Sequence, residues 1–408
     1  MSGPLLPPGP LTAAPAAPAL ARRGLWAIFV GTFCELVGYF MLAPWLLLRL
    51  KDSGVSTTLA GLFAASGWVG IFLITPFASA ITQRLGRRPT LWLSAAVPVF
   101  ATAGFLFTDA LPLWFVFEFI AGIASGLRWV LAEAVVAEFA PAHQRGRMVG
   151  LFETMVGTTF VIGPALLALV GPTSPVALWI VLGFLVLGLL GSLGIPPLPA
   201  APDAHSARVG LDGVWHALRA HPLIMTVGFV GGFFESGLTS ILPLYGLALG
   251  MGATAAALLV SASGLGSALM MLPAGVMADR LALHPRWGGA HGARLAILQA
   301  CALVTLLATA LIPFVAGTPW LAAAVAFVWG GAGGSLYTLA MIDIGSREEG
   351  ITLVNSTAVL VLSYTLGGVL APALGAAMLD LSPTLGFPAL LLAVAGPGWW
   401  LLRRAGHR

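Results

Sequence analysis

Apolar residues in this chain come in long unbroken blocks rather than in a one-sided stripe or a strict alternation. Stretches such as 176–195, 296–315 and 389–402 approach the roughly 20 residues a helix needs to cross hydrocarbon. The alternating pattern of a membrane barrel is absent. Twelve blocks are separated by Gly/Pro or charged breaks. They predict helices at about 25–48, 57–80, 89–108, 111–137, 149–171, 175–195, 223–247, 254–278, 294–316, 319–342, 352–376 and 384–402. The longest polar break, 196–222, carries Asp203, Arg208, Asp212 and Arg219. Its second half, with Leu211, Val214, Trp215 and Leu218, repeats like a short interfacial helix.

Composition narrows the class to an all-α membrane protein. Hydrophobic residues make up 59% and charged residues 8% of the 408, and mean hydropathy is +0.97. A soluble chain carries about 25% charged residues, so this one has too little polar surface to stand in water. The 51 glycines and 29 prolines interrupt many blocks, as membrane helices tolerate. Two cysteines, Cys34 and Cys301, sit inside apolar blocks and exclude a disulfide framework. Residues 1–24 are Pro/Ala-rich without a basic start and read as a disordered cytosolic tail rather than a cleaved signal.

Basic residues set the orientation. With the N-terminus inside, Arg49 and Lys51 fall outside, Arg128 falls within a span, and the remaining sixteen of 19 face the cytosol. Both termini are thereby expected inside, in the inner (cytoplasmic) membrane, with 403–408 as a cytosolic tail. The net charge of +4 is explained by anchors beside anionic lipid, without nucleic acid. The expected division is an N-terminal half at 25–195, a cytosolic linker at 196–222 and a C-terminal half at 223–402. The halves repeat: a shift of 196 pairs Gly54 with Gly250, Gly70 with Gly266 and Arg84 with Arg280, and a shift of 208 pairs Gly122 with Gly330, Gly126 with Gly334 and Pro164 with Pro372. Duplicated halves around a midplane site are a recurrent transporter plan.

Between the second and third spans the chain reads Ser79-Ala-Ile-Thr-Gln83-Arg84-Leu-Gly86-Arg87-Arg88-Pro89. This resembles the loop signature of the major facilitator superfamily, Gly-x-x-x-Asp-Arg-x-Gly-Arg-Arg/Lys, matching at Arg84, Gly86, Arg87 and Arg88, with Ser79 and Gln83 replacing the Gly and the acid. Gly275-Val-Met-Ala-Asp279-Arg280 supplies Gly and acid in the second half. The resemblance implies that these loops latch the halves together on the cytosolic side, with the charged part of the N-half latch altered by Gln83. Gly163-Pro164 in the fifth span is similar to the core of the motif typical of drug:proton antiporters, and Gly367-Gly368-Val-Leu-Ala-Pro372-Ala-Leu-Gly375 looks like its partner in the eleventh. Small residues there allow close helix approach and proline bends the helix. The resemblance covers essentially the whole chain. It implies twelve transmembrane helices in two pseudo-symmetric six-helix halves, lining the cavity with the first, fourth, seventh and tenth. Where many antiporters carry an intramembrane Arg, four residues before Gly122, this chain has Glu118.

A charge at the bilayer centre costs from about 2.5 kcal/mol upward, so charges inside spans need a partner, a proton or a wet cavity. Glu35, Glu118, Glu133, Glu235 and Arg128 are such charges. Glu35 in the first span and Glu235 in the seventh lie near the midplane of equivalent helices, with Arg128 at similar depth in the fourth. They are the leading substrate or proton groups, because a carboxyl out of water favours its proton and an approaching cation expels it. Glu35 and Glu235 could equally be protonated groups bonding a neighbouring helix. Arg128 could bind an anion or pair structurally with Glu35 or Glu133. Glu118 could be a gate or solvated. Glu133, Glu138, Glu153 and Asp343 read mainly as neutralisers of loop arginines. Tyr39, Tyr245 and Tyr337 are candidate cavity residues, and Trp26, Trp45 and Trp400 suit interfacial belts. No His/Cys/Met cluster has metal-ligand spacing, no nucleotide-binding loop occurs, and no nucleophile–base pair stands out. No cofactor and no enzymatic activity are expected.

The expected function is proton-coupled export of a small amphipathic or drug-like compound by a monomer embedded in lipid, energised by the proton gradient. Proton-coupled uptake of a small anionic metabolite, with Arg128 as ligand, is the alternative. A lipid flippase, or a non-transporting receptor or assembly factor, is the reading from another class.

Overall fold

A computed structural model of the chain describes residues 18–405 apart from 56, 172–173, 198–206, 238–241, 243–244, 247, 252, 285, 287–288, 316 and 383. Among these residues the fold is helical. In order the helices are α1 (Pro18–Asp52), α2 (Thr57–Ile74), α3 (Ala78–Leu85), α4 (Arg87–Gly104), α5 (Leu111–Phe139), α6 (Arg145–Val170) and α7 (Val176–Leu193). There follow α8 (Gly210–Ala220), α9 (Pro222–Gly232), α10 (Ala253–Ala282), α11 (Ala290–Val315), α12 (Pro319–Gly345), α13 (Gly350–Leu381) and α14 (Gly386–Ala405). Among the described residues eleven of the twelve predicted spans coincide with helix, and the seventh does so over its first part. Among the described residues nine helices pass as spans by length and apolarity alone. The segment α4, which carries Arg87 and Arg88, and α14, which carries Arg403 and Arg404, are more polar at their ends.

Local chemistry places the breaks. Gly86 at φ +86° joins α3 to α4, and Gly171 at φ +100° ends α6, conformations that only glycine adopts without strain. Pro112, Pro222 and Pro319 open α5, α9 and α12, where the missing N–H costs nothing.

Two expectations change. Residues 18–24, assigned to the tail, are the first turns of α1, while 1–17 lie outside the described residues. The seventh span is not one regular helix: α9 ends at Gly232 and gives way to a π-helical turn at Phe233–Gly237, beyond which several residues lie outside the description. The linker does contain a short helix, α8, whose axis meets the following helix at 96°. It lies on the molecule through Gly210, Gly213 and Ala217 and exposes Leu211 and Trp215.

The internal repeat has a physical basis in two equivalent crossings. A side chain at Gly122 of α5 would strike the Gly67 carbonyl of α2, and one at Gly330 of α12 would strike the Ser263 carbonyl of α10. Small residues let these helix backbones touch, which in lipid is a main source of association. The fourth, tenth and eleventh spans, α5, α12 and α13, are the most buried of the apolar spans, at 72%, 83% and 72%, against 39% for α7 at the edge. The halves meet along two seams, α6 against α10 and α13 against α5 and α2.

Candidate functional site

Between the two seams lies a cavity of about 160 Å³. Its wall is mostly apolar but holds five carboxyl residues, Glu35, Glu118, Glu133, Glu153 and Glu235, and one base, Arg128. Helices from both halves supply them. All except Glu153 are among the expected site residues, and Tyr39 lines the same space.

Glu35 of α1 and Arg128 of α5 form an ion pair, Oε2 to Nε 2.5 Å, with side chains only 6% and 4% exposed. The contact is ionic rather than an aligned hydrogen bond, and Nη1 of Arg128 is buried without a hydrogen-bond partner among the described residues. Its Nη2 donates to Thr32 Oγ1 at 3.3 Å. Of the two partners expected for Arg128, Glu35 is the one it takes.

Glu118 is buried, so it is not a solvated rim residue. Its carboxyl lies over Gly67 of α2, and it makes no ion pair among the described residues. Glu133 is likewise no neutraliser of loop arginines. Trp129 Nε1 donates to its Oε1 at 2.5 Å and Tyr337 Oη to its Oε2 at 2.6 Å, so the contact joins α5 to α12 across the cavity. Glu235 sits in the π-helical turn. Ser267 Oγ donates to its Oε1 at 2.5 Å and Tyr364 Oη to its Oε2 at 3.0 Å. A methyl group at Gly334 would meet both Ser267 Oγ and Glu235 Oε1, so the small residue in α12 makes room for this contact.

Sequence reasoning missed Trp129, Ser267 and Tyr364, and misplaced Glu153. Trp129, Tyr337 and Tyr364 form an aromatic corner, with ring centroids 4.9 to 6.4 Å apart. Glu153 was assigned to the basic-loop face, yet it is buried in α6 and lines the cavity. It stands eight residues after Arg145, about 12 Å along the helix. Tyr245 is instead buried against Phe387, ring centroids 4.7 Å apart, and does not line the cavity. Trp26 and Trp400 are exposed, whereas Trp45 is buried and donates to the Ser174 carbonyl.

On the face of the basic loops the seams are closed by carboxylates at helix N-termini, where backbone N–H groups are unpaired. Asp279 of α10 accepts from Gly146 N at 2.9 Å and Arg147 N at 2.8 Å, at the start of α6. At the other seam the carboxylate comes from Glu138 of α5. Arg87 holds it with two bonds of 2.9 and 2.6 Å, and Glu138 Oε2 accepts from Gly350 N at the start of α13 at 3.2 Å. Arg88 stacks 4.2 Å over the Trp92 ring, and Arg84 and Arg280 are exposed at helix ends. Glu138 thus pairs with a loop arginine, as Asp343 does with Arg347 at 2.6 Å. Among the packing residues, Gly163 brings α6 onto the α1 backbone at Phe40 and Met41. Gly375 is buried in α13, and Pro164 and Pro372 lie within α6 and α13.

Two bundles of membrane-length helices thus close together on one face around a charged cavity. Residues 28–356 match the model of the Major Facilitator Superfamily, and the chain belongs to that family. It is 26% identical over 343 residues to the MFS-type transporter YfkF of Bacillus subtilis, itself uncharacterised, covering 82% of this chain and 83% of that one. Its fold is similar to that of the human organic anion transporter MFSD10, with a TM-score of 0.76, 18% identity, and 94% and 99% of the two chains covered. It is also similar to the transporter FucP in its outward conformation, with a TM-score of 0.74, 17% identity, and 95% and 99% covered. The protein is a multi-span membrane protein of secondary-transporter type.

Proposed function

We propose that the protein exports a small amphipathic compound by alternating access, working as a monomer in the cytoplasmic membrane with both termini inside and driven by protons. The charge inventory of the cavity carries this reading. Five carboxyls face one arginine, and that arginine is already matched by Glu35. The other four make no ion pair among the described residues. Glu235 in particular is held by two hydroxyl donors and no cation, an arrangement that can take up or give up a proton without breaking a salt bridge. Its place in the π-helical turn, where regular helix pairing is interrupted, suits a group that changes state.

The test is lumenal pH, followed by a trapped dye in proteoliposomes as cationic, neutral and anionic compounds are added. Wild type should shift lumenal pH with at least one compound, and Glu235→Gln should abolish the shift. Movement of a compound with no lumenal response would refute proton coupling. Uptake of a small anionic metabolite is the second reading, favoured by the buried Arg128 Nη1 that lacks a hydrogen-bond partner among the described residues. It is supported instead if an anion moves and Arg128→Ala loses it.

A further inference from the structure

Of the three cavity carboxyls Glu133, Glu153 and Glu235, Glu153 alone has an oxygen with no hydrogen-bond partner among the described residues. Its side chain is buried, its residue 4% exposed, and Oε1 makes no hydrogen bond. Glu133 has Trp129 and Tyr337 as donors, and Glu235 has Ser267 and Tyr364. Both carboxyls lie within electrostatic range of Glu153, as do Tyr337 and Tyr364. No Lys, Arg or His pairs with any of the three carboxyls among the described residues. A bare buried carboxylate is costly, so Glu153 calls for either a proton or a cation from outside the chain.

The surroundings decide which cation. A hard metal ion needs six or more oxygens at about 2.0–2.6 Å, and of these three carboxyls only Glu153 Oε1 lacks a partner among the described residues. What surrounds it is apolar and aromatic: Phe152, Val156 and Met271 on the wall, and the Trp129–Tyr337–Tyr364 corner beyond. Aromatic faces attract organic cations, most strongly when water is excluded.

We infer that Glu153 is the cation-accepting group of a subsite for a monovalent lipophilic organic cation, seated between its carboxylate and the aromatic corner. Binding exchanges one proton, released from Glu153 to solvent, for one positive charge, so the buried charge is unchanged. The inference rests on the transport reading above and names its substrate class. It also makes affinity rise with pH, by about tenfold per unit while Glu153 is protonated in the empty site.

The test is equilibrium binding to the purified full-length chain in detergent, corrected for uptake by micelles, of tetraphenylphosphonium and of tetraphenylborate, which share size and shape but carry opposite charge. The phosphonium should bind at least tenfold more tightly. Glu153→Gln should lose tenfold or more of that affinity, and Glu153→Asp should keep most of it. Equal binding by Glu153→Gln, or preference for the borate, overturns the subsite. If the Gln variant does not fold, the wild-type pH profile decides, and a flat profile is refutation. Binding and coupling fail separately. Phosphonium held through Glu153 and moved across the membrane without any lumenal pH response leaves the subsite standing and refutes proton coupling. A lumenal response without Glu153-dependent binding does the reverse.

Discussion

Breaking the Glu35–Arg128 pair from its two sides should give two different pH signatures. The pair is 2.5 Å long, with side chains 6% and 4% exposed, and removing one member of such a buried pair costs about 3–5 kcal/mol. The survivors differ in their escape. In Arg128→Gln, Glu35 can shed its charge by taking a proton. For a carboxyl with an ordinary pKa near 4.3 that costs roughly 3.7 kcal/mol at pH 7 and about 1 kcal/mol at pH 5. The folded variant then holds one proton more than its unfolded chain, so its stability falls as pH rises and recovers on acidification, by about 1.4 kcal/mol per unit. In Glu35→Gln the guanidinium stays charged at any accessible pH, so its deficit should be flat. Unfolding free energies from steric trapping at pH 7, 6 and 5, each relative to wild type, measure both slopes. Equal slopes, or an Arg128→Gln deficit that grows on acidification, would refute the assignment of this contact as a charged pair.

Two further contrasts test the packing. Gly330→Ala places a methyl group on the Ser263 carbonyl, whereas Gly264→Ala on the same helix as Ser263 meets open space. Only the first should lose monodisperse protein on size exclusion, and equal behaviour would contradict the α10–α12 crossing. Tyr337→Phe removes the hydroxyl held by Glu133 and should cost about 1–3 kcal/mol. Tyr245→Phe, which removes a buried hydroxyl with no partner among the described residues, should be neutral or stabilising by thermal melting.

The scaffold was legible because each span is set by local chemistry: apolar length, a Pro at the start, a Gly at the end. The repeat was legible because Gly122 and Gly330 answer the same demand at equivalent crossings. The cavity's charged lining was legible where a charge stood alone deep in an apolar block, as Glu35, Arg128 and Glu235 do. It was lost where depth was misjudged or where the partner is a residue that also suits lipid. Glu153 lies only a few residues inside the fifth apolar block, but α6 starts earlier than the hydropathy does, at Arg145, and carries it inward. Trp129 and Tyr364 resemble the many packing aromatics until the tertiary contact shows their N–H and O–H on carboxylates. Glu138 could be paired with a loop arginine by charge alone. Its bond to Gly350 N could not be foreseen, since it spans 212 residues.

Alternation of the two halves is most directly tested at the closed face. Spin labels at positions 85 and 283, replacing Leu85 and Leu283, exposed on opposite halves, report the gap by double electron–electron resonance once Cys34 and Cys301 are replaced. Asp279 contributes two bonds to the start of α6, a capping contact of about 0.5–2 kcal/mol. Asp279→Ala should therefore shift the ratio of closed to open by roughly 2- to 30-fold, with a second, longer distance growing at the expense of the first. A single distance, unchanged by the substitution and by pH, would contradict a carrier that opens this face.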